Sequence, residues 1–373
     1  KGEEKNKNVV LLVVESLSAE FMDVMGDNRG LTPNLSKLAK ESLFFTNFYA
    51  TGTRTVRGME ALTLSIPPTP GRSIVKRPDN QNMFSSGFVF KEKGYDTSFI
   101  YGGHGYFDNM NAFFSANGFD NIIDRTDMSN DEITFSNVWG VADENLFDKA
   151  LKYYDEKANK NEKFFSFVMT TSNHRPYSYP DGKIDIPSKT SREGAVKYTD
   201  YAIGEFIKKA KTKPWFDDTI FVIVSDHNAS SAGKTALPVH KYKIPLLVYS
   251  PKNIKAKVVN KVSSQIDLMP TVFSILHWDY YSKFFGKDIL SKDFKERALI
   301  GNYQKLGLLR DNKITILSSN KQIDEYEILE QDLYSSKYKK IPTVKKDILD
   351  TITYYQSAAY FYKNKINRVN NWE

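Results

Sequence analysis

The side chains able to do chemistry in this 373-residue chain are few, and they fall at recurring places: five histidines, no cysteine, and a single Thr-Arg-Thr-Val-Arg-Gly segment. An Asp-His pair, Asp226-His227, closes one apolar run, where both side chains can reach one cation. Glu15 closes another apolar run, residues 9–14. Alone it could cap a following helix; with Asp226 and His227 it completes a mixed carboxylate and imidazole set. Thr55 lies in Thr51-Gly52-Thr53-Arg54-Thr55-Val56-Arg57-Gly58-Met59-Glu60, between an apolar stretch at 43–50 and an expected helix through 64. A hydroxyl at a helix N-terminus sits beside backbone N–H groups that can bind an oxyanion. A threonine hydroxyl is a poor nucleophile until a base or metal activates it, and no base is adjacent in sequence. Coordination by a divalent cation is then the simplest activator.

His174, in Ser172-Asn173-His174, and His104, after Gly102-Gly103, also follow apolar runs. His174 reads equally as a functional group at a strand end or a structural histidine, and the glycines before His104 could simply make a tight turn. His240 precedes a run instead and is kept as a candidate substrate contact, whereas His277 follows an apolar helix and reads as structural. The absence of cysteine removes disulfides, thiolate metal sites and cysteine nucleophiles together.

The elements that must position these residues are legible as alternating patterns. Runs at 9–14, 97–101, 164–171, 219–225 and 244–249 are rich in Val, Ile and Phe without alternation, as in buried parallel strands. Helical spacing is expected over 34–41 (opened by Thr32-Pro33), 82–93, 141–156, 192–211 and 265–276. The fold class expected is therefore α/β, a mostly parallel central sheet flanked by helices on both faces. Ligands of such sheets bind at the carboxyl ends of the strands, where Glu15, His104, His174 and Asp226-His227 all fall. Short strand-like pieces at 298–301, 307–310, 314–317 and 325–329, then a helix over 344–362, suggest a small antiparallel sheet and helix. We divide the chain into a catalytic domain, 1–292, and a C-terminal subdomain, 293–373.

Composition is that of a globular protein, 40% hydrophobic and 26% charged. The net charge of +7 suits anionic partners, but without a dense basic run or nucleic-acid motif no nucleic-acid partner is expected. No apolar run reaches the roughly 18–20 residues of a membrane span, and the polar residues 1–8 do not read as a signal peptide.

In their order and spacing these segments resemble the alkaline phosphatase/sulfatase superfamily, and most of all its lipoteichoic acid synthase-type phosphoglycerol transferases. The resemblance runs from about residue 9 to 289. It is carried by Val13-Val14-Glu15-Ser16-Leu17, Thr32-Pro33-Asn34-Leu35, Thr53-Arg54-Thr55-Val56-Arg57-Gly58, Gly118-Phe119-Asp120, Thr171-Ser172-Asn173-His174-Arg175-Pro176-Tyr177, Ser225-Asp226-His227 and Asp267-Leu268-Met269-Pro270-Thr271. It implies one divalent cation held by Glu15, Thr55, Asp226 and His227, with manganese favoured and magnesium or zinc as alternatives. It also implies a contact from His174 to a bound phosphoglycerol.

The reaction implied is attack by Thr55 on a phospholipid head group, release of diacylglycerol, and transfer from a phosphothreonine to an acceptor hydroxyl or water. Arg57, by position, would offset phosphate charge, with a structural salt bridge the equal alternative. The implied partners are a phospholipid donor, phosphatidylglycerol, and a cell-envelope acceptor. Such proteins carry N-terminal transmembrane helices, which would place the catalytic domain on the inner membrane, facing the periplasm or exterior. One departure stands out. The Trp and Arg that contact phosphoglycerol in lipoteichoic acid synthases have no counterpart in Tyr106-Phe107-Asp108-Asn109-Met110, which resembles a branch found in Gram-negative bacteria. A glycerol head group would then rely on His174, Asn109 and His104, whereas ethanolamine would favour Asp108 and Phe107. The competing functions are a phosphoethanolamine transferase, a family usually rich in disulfides; a sulfatase, which needs Cys or Ser as formylglycine precursor; and an inactive domain that binds anionic lipid or glycan.

Overall fold

A computed structural model of the chain describes residues 2–229 and 237–369. In chain order the first elements are β1 (Asn8–Val14), α1 (Pro33–Lys40), β2 (Leu43–Tyr49), α2 (Thr55–Leu64), α3 (Ser86–Glu92), β3 (Asp96–Tyr101), α4 (Met110–Ser115) and β4 (Asn121–Ile123). There follow α5 (Asp143–Asn159), β5 (Phe164–Met169), α6 (Arg192–Ala210), β6 (Thr219–Ser225), β7 (Lys243–Tyr249), β8 (Lys257–Val259), β9 (Ser263–Ser264) and α7 (Leu268–Ile275). The strands form one nine-stranded sheet in the order β4-β3-β5-β1-β6-β7-β2-β8, with β9 pairing to β2.

Strand β1 at its centre shows why the sheet is buried on both sides. Val9, Leu11 and Val13 face a core shared with Met59 of α2, Phe90 of α3 and Phe273 of α7. Val10, Leu12 and Val14 face the opposite core with Leu35 of α1, Phe147 of α5 and Phe206 of α6. Each strand residue buries its side chain whichever way it points, so the run is apolar without alternation.

That same signal hides strand direction. Strand β7, expected to be parallel, runs antiparallel to both of its neighbours, β6 and β2. It follows β6 directly, with no crossover helix between them among the described residues, and a parallel return needs such a crossover. The helix expected from 82 begins only at Ser86, because Ser85 Oγ accepts the Phe88 N–H at 3.1 Å and caps it there. Residues 265–267 form a 3₁₀ turn ahead of α7.

A second, antiparallel sheet is a simple meander of β10 (Ala298–Gly301), β11 (Lys305–Arg310), β12 (Lys313–Ser318), β13 (Ile323–Gln331) and β14 (Ser336–Ile341), followed by α8 (Lys345–Lys363). Its inner residues Ala298, Ile300 and Ile314 share a core with Tyr49 of β2 and with Tyr242, just before β7. Arg297, just before β10, donates two hydrogen bonds of 2.6 and 2.8 Å to buried Asp267. No described helix is long and apolar enough to cross a membrane.

Candidate active site

Strands β1 and β6 pair in parallel register with Val14 opposite Ser225. Glu15 and Asp226, the next residue on each strand, therefore leave the sheet side by side at its carboxyl edge. The chain turns sharply after Glu15, with Ser16 at φ 51°. That turn aims the Ser16 N–H at Asp226 Oδ1 (2.8 Å), which also accepts the His227 N–H (2.7 Å). The other carboxylate oxygen, Oδ2, is buried and has no hydrogen-bond partner. Such an orphan is costly unless something positive meets it.

His227 supplies the complementary feature. Its Nδ1 lies 2.8 Å from the Asn228 carbonyl, which assigns the proton to Nδ1 and leaves a lone pair on Nε2. Nε2 stands 3.4 Å from Asp226 Oδ2 and 3.6 Å from Glu15 Oε1. Two ligand atoms about 2.1 Å from one ion at a tetrahedral angle lie about 3.4 Å apart, so the spacing is that of donors sharing a cation. One ligand atom from each of Glu15, Asp226 and His227 falls within 4.8 Å of the others. Thr55, first residue of α2, places Oγ1 3.3 Å from Glu15 Oε2. Oxygen donors with one imidazole and an unsatisfied buried carboxylate oxygen fit a hard to borderline divalent cation.

Charge coupling within the cluster agrees. Burial pushes Asp226 up, and the Glu15 carboxylate beside it pushes it further. Burial also works against ionised Glu15, but His227 and His174 more than offset this and hold it low. Burial disfavours a charged His227, yet Asp226 and Glu15 raise it above its ordinary value. Asp226 is thus the group whose charge the site disfavours, and the rise of His227 shows that the two carboxylates favour a positive charge between them.

Two residues fix α2 against this edge. Gly58 packs so closely that a Cβ there would stand 2.2 Å from the Asp226 carbonyl oxygen, so only glycine fits. Gln265 clamps the loop before α2 to the end of β6. Its Nε2 donates to the Ser225 and Asp226 carbonyls (2.9 and 2.7 Å), and its Oε1 accepts the Thr51 N–H (2.9 Å).

The segment after β5 closes the other side. Buried Asp143, at the start of α5, accepts the N–H groups of Thr171 and Ser172 at 3.2 and 3.1 Å. Asn173 Nδ2 donates to the Glu15 carbonyl at 2.9 Å. His174 projects beyond, its ring centroid 3.7 Å from that of Trp139. A cavity of 430 Å³ is lined by Glu15, Thr55, His227, Asn173 and His174, with Phe107, Asp108, Trp139, Arg54, Arg175 and Arg192.

The structure thus brings together Glu15, Thr55, His174, Asp226 and His227. It does not bring four other candidates to this cavity. Arg57 pairs with buried Glu60 (3.0 Å) and donates to the carbonyls of Thr69 (2.8 Å) and Gly71. It faces an adjoining cavity of 340 Å³ instead, so the salt-bridge reading is the one seen. Asn109 donates to the Val75 carbonyl (3.0 Å). His240 lies with Nδ1 2.9 Å from Ser336 Oγ, held by the second sheet. His104 meets the Tyr106 ring at a tilt, with centroids 5.6 Å apart, and is not among the residues that line the cavity. Sequence reasoning missed Trp139 and Arg192. Trp139 lies in an irregular segment without periodicity, and Arg192 opens α6 as an ordinary helical residue. Gln265 and Asp143 were also missed, since a buried amide or carboxylate bonded to backbone leaves no motif.

Comparison with known proteins places this geometry. The Sulfatase family model matches residues 7–278. Lipoteichoic acid synthase 2 of Bacillus subtilis is 26% identical over 361 residues, covering 88% of this chain and 54% of that protein. Phosphoglycerol transferase I of Salmonella choleraesuis is 26% identical over 342 residues, covering 86% of this chain and 44% of that protein. The chain spans about half the length of these curated relatives. A crystal structure of a protein in the alkaline phosphatase superfamily from Vibrio parahaemolyticus superposes with a TM-score of 0.92 at 37% identity, covering 98% of this chain and 90% of that one. With the family model spanning most of the chain and the same fold recovered in full, the protein belongs to the sulfatase family.

Proposed function

We propose that this chain is the catalytic part of a metal-dependent phosphotransferase that moves phosphoglycerol from phosphatidylglycerol to a cell-envelope glycan or lipid, through phosphorylated Thr55. The observation that carries the reading is the meeting of Thr55 Oγ1 with Glu15, His227 and the unpartnered Asp226 Oδ2 at one sheet edge. The names of the relatives, a lipoteichoic acid synthase and a phosphoglycerol transferase, support the substrate class.

Glu15, Thr55, Asp226 and His227 would hold the cation, with manganese our choice and magnesium or zinc the alternatives. When bound, a divalent cation supplies Lewis acidity that favours the Thr55 alkoxide and offsets charge on the phosphate. Thr55 Oγ attacks phosphorus and the bond to the diacylglycerol oxygen breaks, which leaves phosphoglycerol on Thr55 and releases diacylglycerol once that oxygen gains a proton. An acceptor hydroxyl then attacks the same phosphorus, its proton is lost, and Thr55 is regenerated. The donor groups around the cavity, Arg54, Arg175, Arg192 and His174, hold the non-bridging oxygens and the glycerol hydroxyls. The catalytic domain would face the periplasm or exterior from the inner membrane, where both the donor and the acceptor are found.

One observation favours a second reading. Asp108 and Phe107 do line the cavity, and a carboxylate beside an aromatic face suits an ethanolamine ammonium. Asp108, however, is already paired with Lys76, and three arginines line the same space. A neutral glycerol head group meets less repulsion there. The test presents phosphatidylglycerol and phosphatidylethanolamine in matched liposomes. Diacylglycerol released mainly from phosphatidylethanolamine would overturn the donor assignment, and full turnover by Thr55→Ala would overturn the nucleophile.

A further inference from the structure

The rim of the active-site cavity carries side chains that a water-facing surface has no use for. Tyr106 is 78% exposed, Val138 81% and Tyr303 72%. Each sits beside a residue that lines a cavity wall or lines one itself. Tyr106 precedes Phe107 and Val138 precedes Trp139, and the Phe107 and Trp139 rings meet edge to face at 5.8 Å across the mouth of the Thr55 cavity. Tyr303, on the turn between β10 and β11, walls the adjoining 340 Å³ cavity and lies under the Arg54 guanidinium at 5.9 Å. Arg54 lines both cavities, so the two mouths form one continuous opening. Three elements distant in sequence thus place exposed apolar groups around one entrance.

The charges at the entrance have one sign. Arg54, Arg72 and Arg175 are exposed there, and none of the three has an ion-pair partner among the described residues. Asp108, the acidic group on this rim, is neutralised by Lys76. An apolar and aromatic fringe interleaved with unpaired arginines is the composition that partitions into the head-group layer of an anionic bilayer. A glycan would use the aromatic faces but has no use for Val138, and a protein partner would have to meet unpaired cations on both sides of an open cavity.

We propose that this rim is a membrane-docking surface: Tyr106, Val138 and Tyr303 seat in the interfacial layer of an anionic bilayer, while Arg54, Arg72 and Arg175 pair with lipid phosphates. Docked in this way, the cavity opens directly onto the head groups, and a donor lipid reaches Thr55 without leaving the membrane. The inference rests on the phospholipid reading above, but binding to a surface can be measured without catalysis.

The experiment sediments the 373-residue chain with phosphatidylcholine vesicles, with and without phosphatidylglycerol, and compares wild type with Tyr106→Ser, Val138→Asp, Tyr303→Ser and Arg72→Glu. Hydrolysis of a soluble nitrophenyl phosphodiester serves as the control for an intact site. Wild type should bind only the vesicles that contain phosphatidylglycerol, and less at high salt. Each variant should bind them roughly fivefold more weakly, with soluble hydrolysis unchanged. Equal wild-type binding to both vesicle types, or variants that bind like wild type, would overturn the proposal. So would an equal loss on the soluble substrate, which would assign these residues to substrate or glycan contact within the site. Absent hydrolysis by wild type with intact vesicle binding would count against the proposed reaction while supporting the docking surface.

Discussion

Gly58→Ala adds one methyl group four residues into α2, and the structure sets what it must do. The new Cβ would lie 2.2 Å from the Asp226 carbonyl oxygen and 2.8 Å from the Asp226 carbonyl carbon and Cα. These are backbone atoms at the end of a central strand, so they cannot rotate away. Ordinary contact begins near 3.4 Å, so α2 must retreat by about 1 Å. Thr55 rides on the same helix, and its 3.3 Å separation from Glu15 grows accordingly. Misplacement of a reacting group by about 1 Å costs about 100-fold in rate. Stability suffers less. Overpacking costs about 1–3 kcal/mol, and alanine recovers about 1 kcal/mol of helix propensity over glycine, for a net loss of about 0–2 kcal/mol. The assay is kcat on a soluble phosphodiester, set beside the thermal midpoint. A folded variant with more than half of wild-type kcat would refute the reasoning, because it would show that the approach of α2 to Asp226 does not position Thr55.

Other outcomes follow from the same geometry. Asp226→Asn removes a buried carboxylate that burial and Glu15 both disfavour. The metal-free variant should therefore melt at or above wild type, yet lack the gain of about 2.7 kcal/mol expected for wild type with Mn²⁺ at 100 times its Kd. A variant that keeps this gain would place the ion elsewhere. Arg297→Ala leaves Asp267 charged, buried and unpaired, and should cost about 3–5 kcal/mol in denaturant unfolding; a loss under 1 kcal/mol would contradict this. Asp124 holds the loop that carries Tyr106 and Phe107 by accepting from Gly105 N–H (2.8 Å), Asn111 Nδ2 (2.9 Å) and Thr126. Burial raises its pKa, but these bonds, those from Thr126 foremost, outweigh burial and hold it below the usual range. Its folded pKa lies below the unfolded one, so its contribution is full above pH about 4 and is lost on acidification. Asp124→Asn should therefore melt lower than wild type at neutral pH, and the gap should close in acid; a gap that widens in acid would reverse the sign.

The sequence carried the α/β class and the residues at the strand ends because both follow from local pattern. Buried strands are short apolar runs, and the first polar residue after each run lies on the carboxyl edge. That logic reached Glu15, His174 and Asp226-His227. It failed where the deciding contact is long-range. The direction of β7 depends on its neighbours, since a strand buried on both faces looks alike in either orientation. Arg57 reads equally as a phosphate ligand or a salt-bridge partner, and only its approach to buried Glu60 on the next turn decides for the salt bridge. Trp139 and Arg192 reach the cavity from segments 53 residues apart, and nothing local in either marks them. Strand β14 was missed because it lies at an exposed edge, where three lysines leave only Tyr338 and Ile341 as large apolar residues.

The 3₁₀ turn at Gln265–Asp267 carries a further consequence. Its first residue bonds to the carbonyl of Asp226, and its last is neutralised by Arg297 at the threshold of the second sheet. A division near residue 292 falls between the two sheets in sequence, and the Arg297–Asp267 pair crosses it. Cutting there would strand a buried negative charge two residues from the clamp on β6. The two sheets are then expected to unfold as one cooperative unit, and by linkage the binding of a substrate analogue beside Thr55 should slow amide exchange in the strands of the second sheet.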